Sequence, residues 1–125
     1  MLLIPVHIAE SAIHGFGVFA SKPIEKGTLI WRFTPGFDLD IDPRVLEEQS
    51  PDFREVLLHY GYIDPRLNRF ILCCDDARFI NHSDVPNVIS NYEMDRYGID
   101  FAVRDIDQGE EITVDYEVLQ GYRPE

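Results

Sequence analysis

Residues 78–87 read Arg-Phe-Ile-Asn-His-Ser-Asp-Val-Pro-Asn and bring two amides, an imidazole, a hydroxyl and a proline up against an apolar segment. Groups of this kind at this spacing do hydrogen-bond chemistry, and two readings stay open: an Asx-rich turn that satisfies its own backbone, or a binding loop. Residues 105–116, Asp-Ile-Asp-Gln-Gly-Glu-Glu-Ile-Thr-Val-Asp-Tyr, form a second candidate, whose plainer reading is a hairpin with carboxylates on its solvent face. Gly15-Phe16-Gly17 is a third, although it lacks the last glycine of a dinucleotide fingerprint. Metal chemistry is not indicated. His7, His14 and His59 are widely separated, and Asp38, Asp40 and Asp42 alternate without the glycine and closing glutamate of a calcium loop. No Ser/His/Asp-type nucleophile stands out either.

Short strands must position these residues. Apolar runs predict strands over residues 2–8, 18–20, 28–33, 69–74, 87–92, 99–103 and 111–116. Residues 34–42 read as a loop, with Pro35, Gly36 and three aspartates as breakers. Val45, Leu46, Phe53, Val56, Leu57 and Tyr60 recur at helical spacing, with Pro43 near a start and Pro51 dividing the run in two. Trp31, beside Ile30, is expected in the core. Ile24, Gly27 and Ile30 reappear as Ile106, Gly109 and Ile112, so two turn-strand units repeat, either by coincidence or as a pseudo-symmetric pair. The sum is β-dominated α+β.

The 125 residues, 45% hydrophobic, are sufficient for one core. Eleven basic against 23 acidic side chains give a charge of −12, which argues against binding to nucleic acid and permits a cationic partner. No run approaches the roughly 20 apolar residues of a membrane span, so no membrane partner is expected. Cys73 and Cys74 are adjacent and have no other cysteine to pair with, which suits a reducing compartment, and the N-terminus does not read as a signal peptide. A cytoplasmic location is expected.

In their order along the chain, the three motifs resemble the SET-domain family. Residues 13–20, Ile-His-Gly-Phe-Gly-Val-Phe-Ala, with Ile24-Glu25-Lys26-Gly27, are similar to its opening; residues 78–87 are similar to its Asn-His motif, and residues 109–116 to its terminal Asp-Tyr motif. The resemblance implies a β-clip fold of short curved sheets with a C-terminal pseudoknot and a small helical insert. A single domain over residues 1–125 follows, with the insert at about 43–62 and a tail at 117–125. It also implies S-adenosylmethionine-dependent methyl transfer to a lysine of a protein or peptide, the alternative being a non-catalytic SET-fold module that retains cofactor or peptide binding. A small free-standing bacterial or viral member is the expected kind.

The resemblance implies roles residue by residue. Tyr116 is catalytic, its hydroxyl directed at the reacting centre. The backbone of Phe16, Gly17 and Val18 lies beside the methionine part of the cofactor. Asn81 and His82 hold its amino group and adenine, with Arg78 shaping the loop. Tyr92 and Tyr122 stand on the substrate side, and Tyr122 or the second subunit of a homodimer closes the lysine channel. The tail lacks the zinc-binding cysteines of many members, so no metal is expected. Phe33-Thr34-Pro35-Gly36 replaces a Tyr-x-Gly, and Ser90 stands where some members carry tyrosine. The implied reaction needs a neutral amine, whereas lysine, with a pKa of about 10.4, is protonated at neutral pH. A dry channel beside a positive sulfonium lowers that pKa by desolvation and like-charge repulsion.

Overall fold

The computed structural model describes residues 1–116. Its strands are β1 (Val6–Glu10), β2 (Phe16–Ala20), β3 (Leu29–Arg32), β4 (Leu39–Ile41), β5 (Gly61–Asp64), β6 (Arg69–Leu72), β7 (Asn81–His82), β8 (Val88–Asn91), β9 (Ile99–Ala102) and β10 (Thr113–Val114). They make four small sheets: β1-β2, β3-β9-β8, β4-β6-β5 and a parallel β7-β10 pair. Helices α1 (Pro43–Glu47) and α2 (Pro51–Tyr60) interrupt them, and a 3₁₀ turn over Asp76–Phe79 leads into β7.

Local chemistry sets these boundaries. The Asp42 side chain accepts from the Arg44 N–H at 2.9 Å, and Ser50 accepts from the Phe53 N–H at 3.2 Å, so each helix has an N-cap followed by proline. The helical spacing is present, yet no residue of α2 is buried.

Five segments differ from the sequence reading. Two strands it did not give are present: β5, which begins inside the stretch read as the helical insert at about 43–62 because Gly61–Asp64 pair with β6, and the short β7, which pairs with β10. The first strand begins at Val6, because Leu2 bridges Trp31 instead. The stretch read as a loop contains β4, which gains a partner in β6 and whose Asp40 carboxylate is bound by Arg69 and Tyr97. The last strand shrinks to two residues, since the atoms around it bond to the side chain of Asn87. The three alternating aspartates are all engaged in structure. Asp38 meets the Met1 ammonium at 2.6 Å, Asp40 meets Arg69, and Asp42 pairs with Arg44 at 2.7 Å.

The repeated turn-strand units pack against each other. Ile24 and Ile106 exchange both backbone hydrogen bonds at 2.8 Å. The Gly27 N–H donates to the Ala102 carbonyl at 2.8 Å, and the Gly109 N–H donates to the Ala20 carbonyl at 2.7 Å, which is the same contact with the two copies exchanged. Both glycines have φ near +86°, where a Cβ is strained. Ile24, Ile30, Ile106 and Ile112 all lie in the main core cluster. Because Ile106 is almost fully buried at this junction, Ile106→Ala is expected to cost about 2–5 kcal/mol. The thermal midpoint should then fall by at least about 6 °C, and an unchanged midpoint would remove the junction from the stabilising core.

Candidate active site

The loop after β7 and the segment around β10 are joined by side chains. Asn87, buried, donates from Nδ2 to the Glu111 carbonyl at 2.8 Å and accepts at Oδ1 from the Thr113 N–H at 2.9 Å. The Ser83 N–H donates to the Val114 carbonyl at 2.9 Å. Two residues beyond β10, the Tyr116 N–H donates to His82 Nδ1 at 3.0 Å, which places the ring proton on Nε2, facing Asp84 at 2.8 Å. Asx-rich turns and the candidate site therefore share residues 78–87: Asn87 satisfies backbone on either side of Ile112, and His82 holds Tyr116 beside the Asn-His strand.

Asn81 reaches the other way. Its Nδ2 donates to the carbonyls of His14 and Phe16, each at 3.1 Å, and to Glu111 Oε2 at 2.9 Å. The Gly-x-Gly stretch is thus fastened to the Asn-His strand through one amide. Val18 is fully buried in the core, so only its backbone is available to a ligand, whereas Phe16 is 59% exposed. The close approach permitted by Gly17 is to Glu111 and Asn81.

Beside this junction lies a cavity of about 200 Å³. Trp31, Tyr60, Tyr62 and Tyr116 supply aromatic lining, and Arg78, Cys73 and Asp100 also reach it. The Tyr116 hydroxyl donates to the Ile80 carbonyl, the residue before Asn81. Burial, followed by the nearby Glu111 carboxylate, raises the Tyr116 pKa, so its proton stays on. Arg78 donates to the Cys73 carbonyl at 2.8 Å and lies over the Tyr60 ring at 5.0 Å. Among the described residues, its Nε and the Trp31 Nε1 are buried donors without a partner. Burial pushes the Cys73 thiol up to about 12 and the Tyr62 hydroxyl well above its usual range.

Arg78, Asn81, His82, Tyr116 and the Phe16-Gly17-Val18 backbone are therefore brought together. Tyr92 is not: among the described residues it is absent from the cavity lining, and its ring sits beneath the Arg66 guanidinium at 3.7 Å. Tyr122 lies outside the described residues. Tyr60, Tyr62 and Asp100 reach the cavity without having been singled out by sequence. Trp31, expected only as core, is both buried and in the lining.

The SET domain profile matches residues 15–117. The chain belongs to the SET domain family. Among curated relatives of this SET chain, the Drosophila melanogaster histone-lysine N-methyltransferase trr is 32% identical over 114 residues, covering 89% of this chain and 5% of that protein. A Neurospora crassa histone-lysine N-methyltransferase specific for H3 lysine-4 is 29% identical over 119 residues, covering 90% of this chain and 9% of that one. The chain thus spans a small part of the length of these relatives. Two solved structures show the same SET fold. A Neurospora SET domain histone lysine methyltransferase has a TM-score of 0.61 at 22% identity, covering 92% of this chain and 53% of that one. Chaetomium thermophilum polycomb repressive complex 2, bound to S-adenosylmethionine, has a TM-score of 0.63 at 23% identity, covering 92% of this chain and 15% of that one.

Proposed function

We propose that this chain transfers the methyl group of S-adenosylmethionine to a lysine side chain of a cationic protein or peptide segment. The observation that carries this reading is the placement of the Tyr116 hydroxyl, held by the carbonyl beside Asn81, on an aromatic cavity. Family membership and the methyltransferase names of the relatives support it.

The residues fit the cofactor. Among the described residues the buried Arg78 Nε and Trp31 Nε1 are donors without acceptors, which a carboxylate or a ring nitrogen would supply. Arg78, Asn81, His82 and the Phe16-Gly17-Val18 backbone are the residues that would hold it, and when bound it supplies an electrophilic methyl on a positively charged sulfur. The chain's own residues do the rest. The aromatic lining excludes water from the reacting amine and methyl. Since the Tyr116 hydroxyl commits its proton to the Ile80 carbonyl, its oxygen is left as an acceptor that orients an amine N–H or a polarised C–H. Confinement in the cavity then provides alignment, which supplies much of the rate in a displacement. The charge of −12 draws a cationic segment toward the site.

Calorimetric titration of S-adenosylmethionine, and separately of S-adenosylhomocysteine, tests this. One saturable site is expected, with affinity reduced at least about tenfold in Asn81→Ala through the lost amide contacts. Binding weaker than about 1 mM for both ligands would overturn the reading. Saturable binding without transfer to any basic peptide would favour the non-catalytic module.

A further inference from the structure

Asp100 is an unusual residue for its position. It lies in the middle of β9, paired across the sheet with Trp31 on β3 and Ser90 on β8, and it is only 6% exposed while lining the cavity. An apolar side chain is the ordinary occupant of such a central, buried strand position. A carboxylate placed there without an ion-pair partner is costly, and its hydrogen bond among the described residues comes from the Ser90 hydroxyl, at 2.6 Å. No lysine or arginine forms an ion pair with it among the described residues. The missing partner of a carboxylate in an aromatic cavity is a cation. Trp31, Tyr60, Tyr62 and Tyr116 present ring faces and edges to the same space, and aromatic walls with one carboxylate are the chemistry that recognises an alkylammonium.

We propose that Asp100 receives the substrate's lysine ammonium in this cavity and takes from it the proton that the amine must lose before it can act as a nucleophile. In that step one Nζ–H bond breaks and an O–H bond forms on Asp100. The electron pair of the broken bond stays on nitrogen, the positive charge on lysine and the negative charge on the carboxylate vanish together, and the proton passes to water when the product leaves. The assignment rests on the lysine methyltransferase reading for the identity of the cation, while the cation site itself rests on the cavity alone.

The electrostatics agree in sign. Burial raises the Asp100 pKa to about 7, with the Ser90 hydroxyl and then the Met1 ammonium opposing the rise. The titratable groups around it are Tyr62 from β5, Cys73 after β6 and Tyr92 after β8. Burial lifts all of them, with Cys73 and Tyr92 reaching about 12, so they stay protonated through the neutral range. Asp100 is thus the group among them that changes charge near pH 7, from a form that binds a cation above it to one that does not below it.

The probe is n-butylammonium, with 1-butanol as the neutral control, titrated into the intact chain while the Asp100 carboxyl carbon is followed by NMR. Butylammonium is expected to saturate and to pull the Asp100 titration to lower pH, and its affinity should fall at least about tenfold in Asp100→Asn, which keeps the side chain's shape. Butanol binding should not distinguish the two proteins. In transfer assays kcat/KM of the parent should fall as pH drops through about 7, and Asp100→Asn should lose that acid limb. Ser90→Ala removes the hydroxyl that favours the charged form, so its limb should move to higher pH, which a merely structural serine would not cause. Equal butylammonium affinity in parent and Asp100→Asn, or an acid limb that persists in that variant, overturns the proposal. If butylammonium binds through Asp100 but the chain does not bind S-adenosylmethionine, the cation site stands and the methyltransferase reading fails.

Discussion

Tyr116→Phe is expected to lower methyl transfer about a hundredfold while leaving cofactor affinity and folding nearly intact, the scale seen when one preorganised polar group is removed from a reacting centre. Two features separate these effects. Among the described residues the hydroxyl makes one hydrogen bond, to the Ile80 carbonyl, whose net worth to stability is about 1 kcal/mol. The ring keeps its place, because the Tyr116 backbone N–H remains bound to His82 Nδ1 at 3.0 Å and the two rings stay 5.4 Å apart. What disappears is the oxygen facing the cavity and, with it, the group that holds the amine and the methyl in line. Initial rates with radiolabelled S-adenosylmethionine and a mixture of basic peptides, alongside calorimetry on the same variant, measure both halves. A rate within about threefold of the parent would take the hydroxyl out of the chemistry, since a preorganised group is worth far more.

Sequence and structure agree best where the interactions are local or carried by a recognisable order of motifs. Arg78, Asn81, His82 and Tyr116 were legible because their motifs occur in a distinctive order, and the structure shows why that order matters: Asn87 and His82 tie the second motif to the third. The pairing of Ile24 with Ile106 was legible as a repeated turn. Tyr60, Tyr62 and Asp100 were not, since nothing in their neighbourhoods marks a cavity. Tyr60 ends a helix whose periodicity accounts for it, and Tyr62 falls at the end of the stretch read as the helical insert, where no strand was expected. Asp100 interrupts the apolar pattern of β9, and that interruption is the one signal that could have drawn attention to it. Tyr92 illustrates the converse. Position along the motif suggests the substrate side, while the structure places its ring against Gly98 and beneath Arg66, and among the described residues it is absent from the lining of this cavity.

Gly17→Ala is the second large effect, and it tests the tie between the first motif and the other two. A methyl group at position 17 would collide with the Glu111 carboxylate and press on Asn81 Nδ2 at 3.2 Å. A carboxylate at the end of a free side chain would simply move aside. This one is not free: the Ser11 hydroxyl reaches both of its oxygens, at 2.7 and 2.9 Å, and Asn81 donates to it at 2.9 Å. Displacing it strands partly buried donors, so Gly17→Ala is expected to cost about 1–3 kcal/mol. Glu111→Ala alone should also destabilise, by loss of the same bonds. Once Glu111 is truncated, however, the added methyl meets no carboxylate, and the double variant should be more stable than the sum of the single losses by about 0.5–3 kcal/mol. Denaturant unfolding of the four proteins gives that coupling directly. Additive losses would mean that the contact with Glu111 does not constrain position 17.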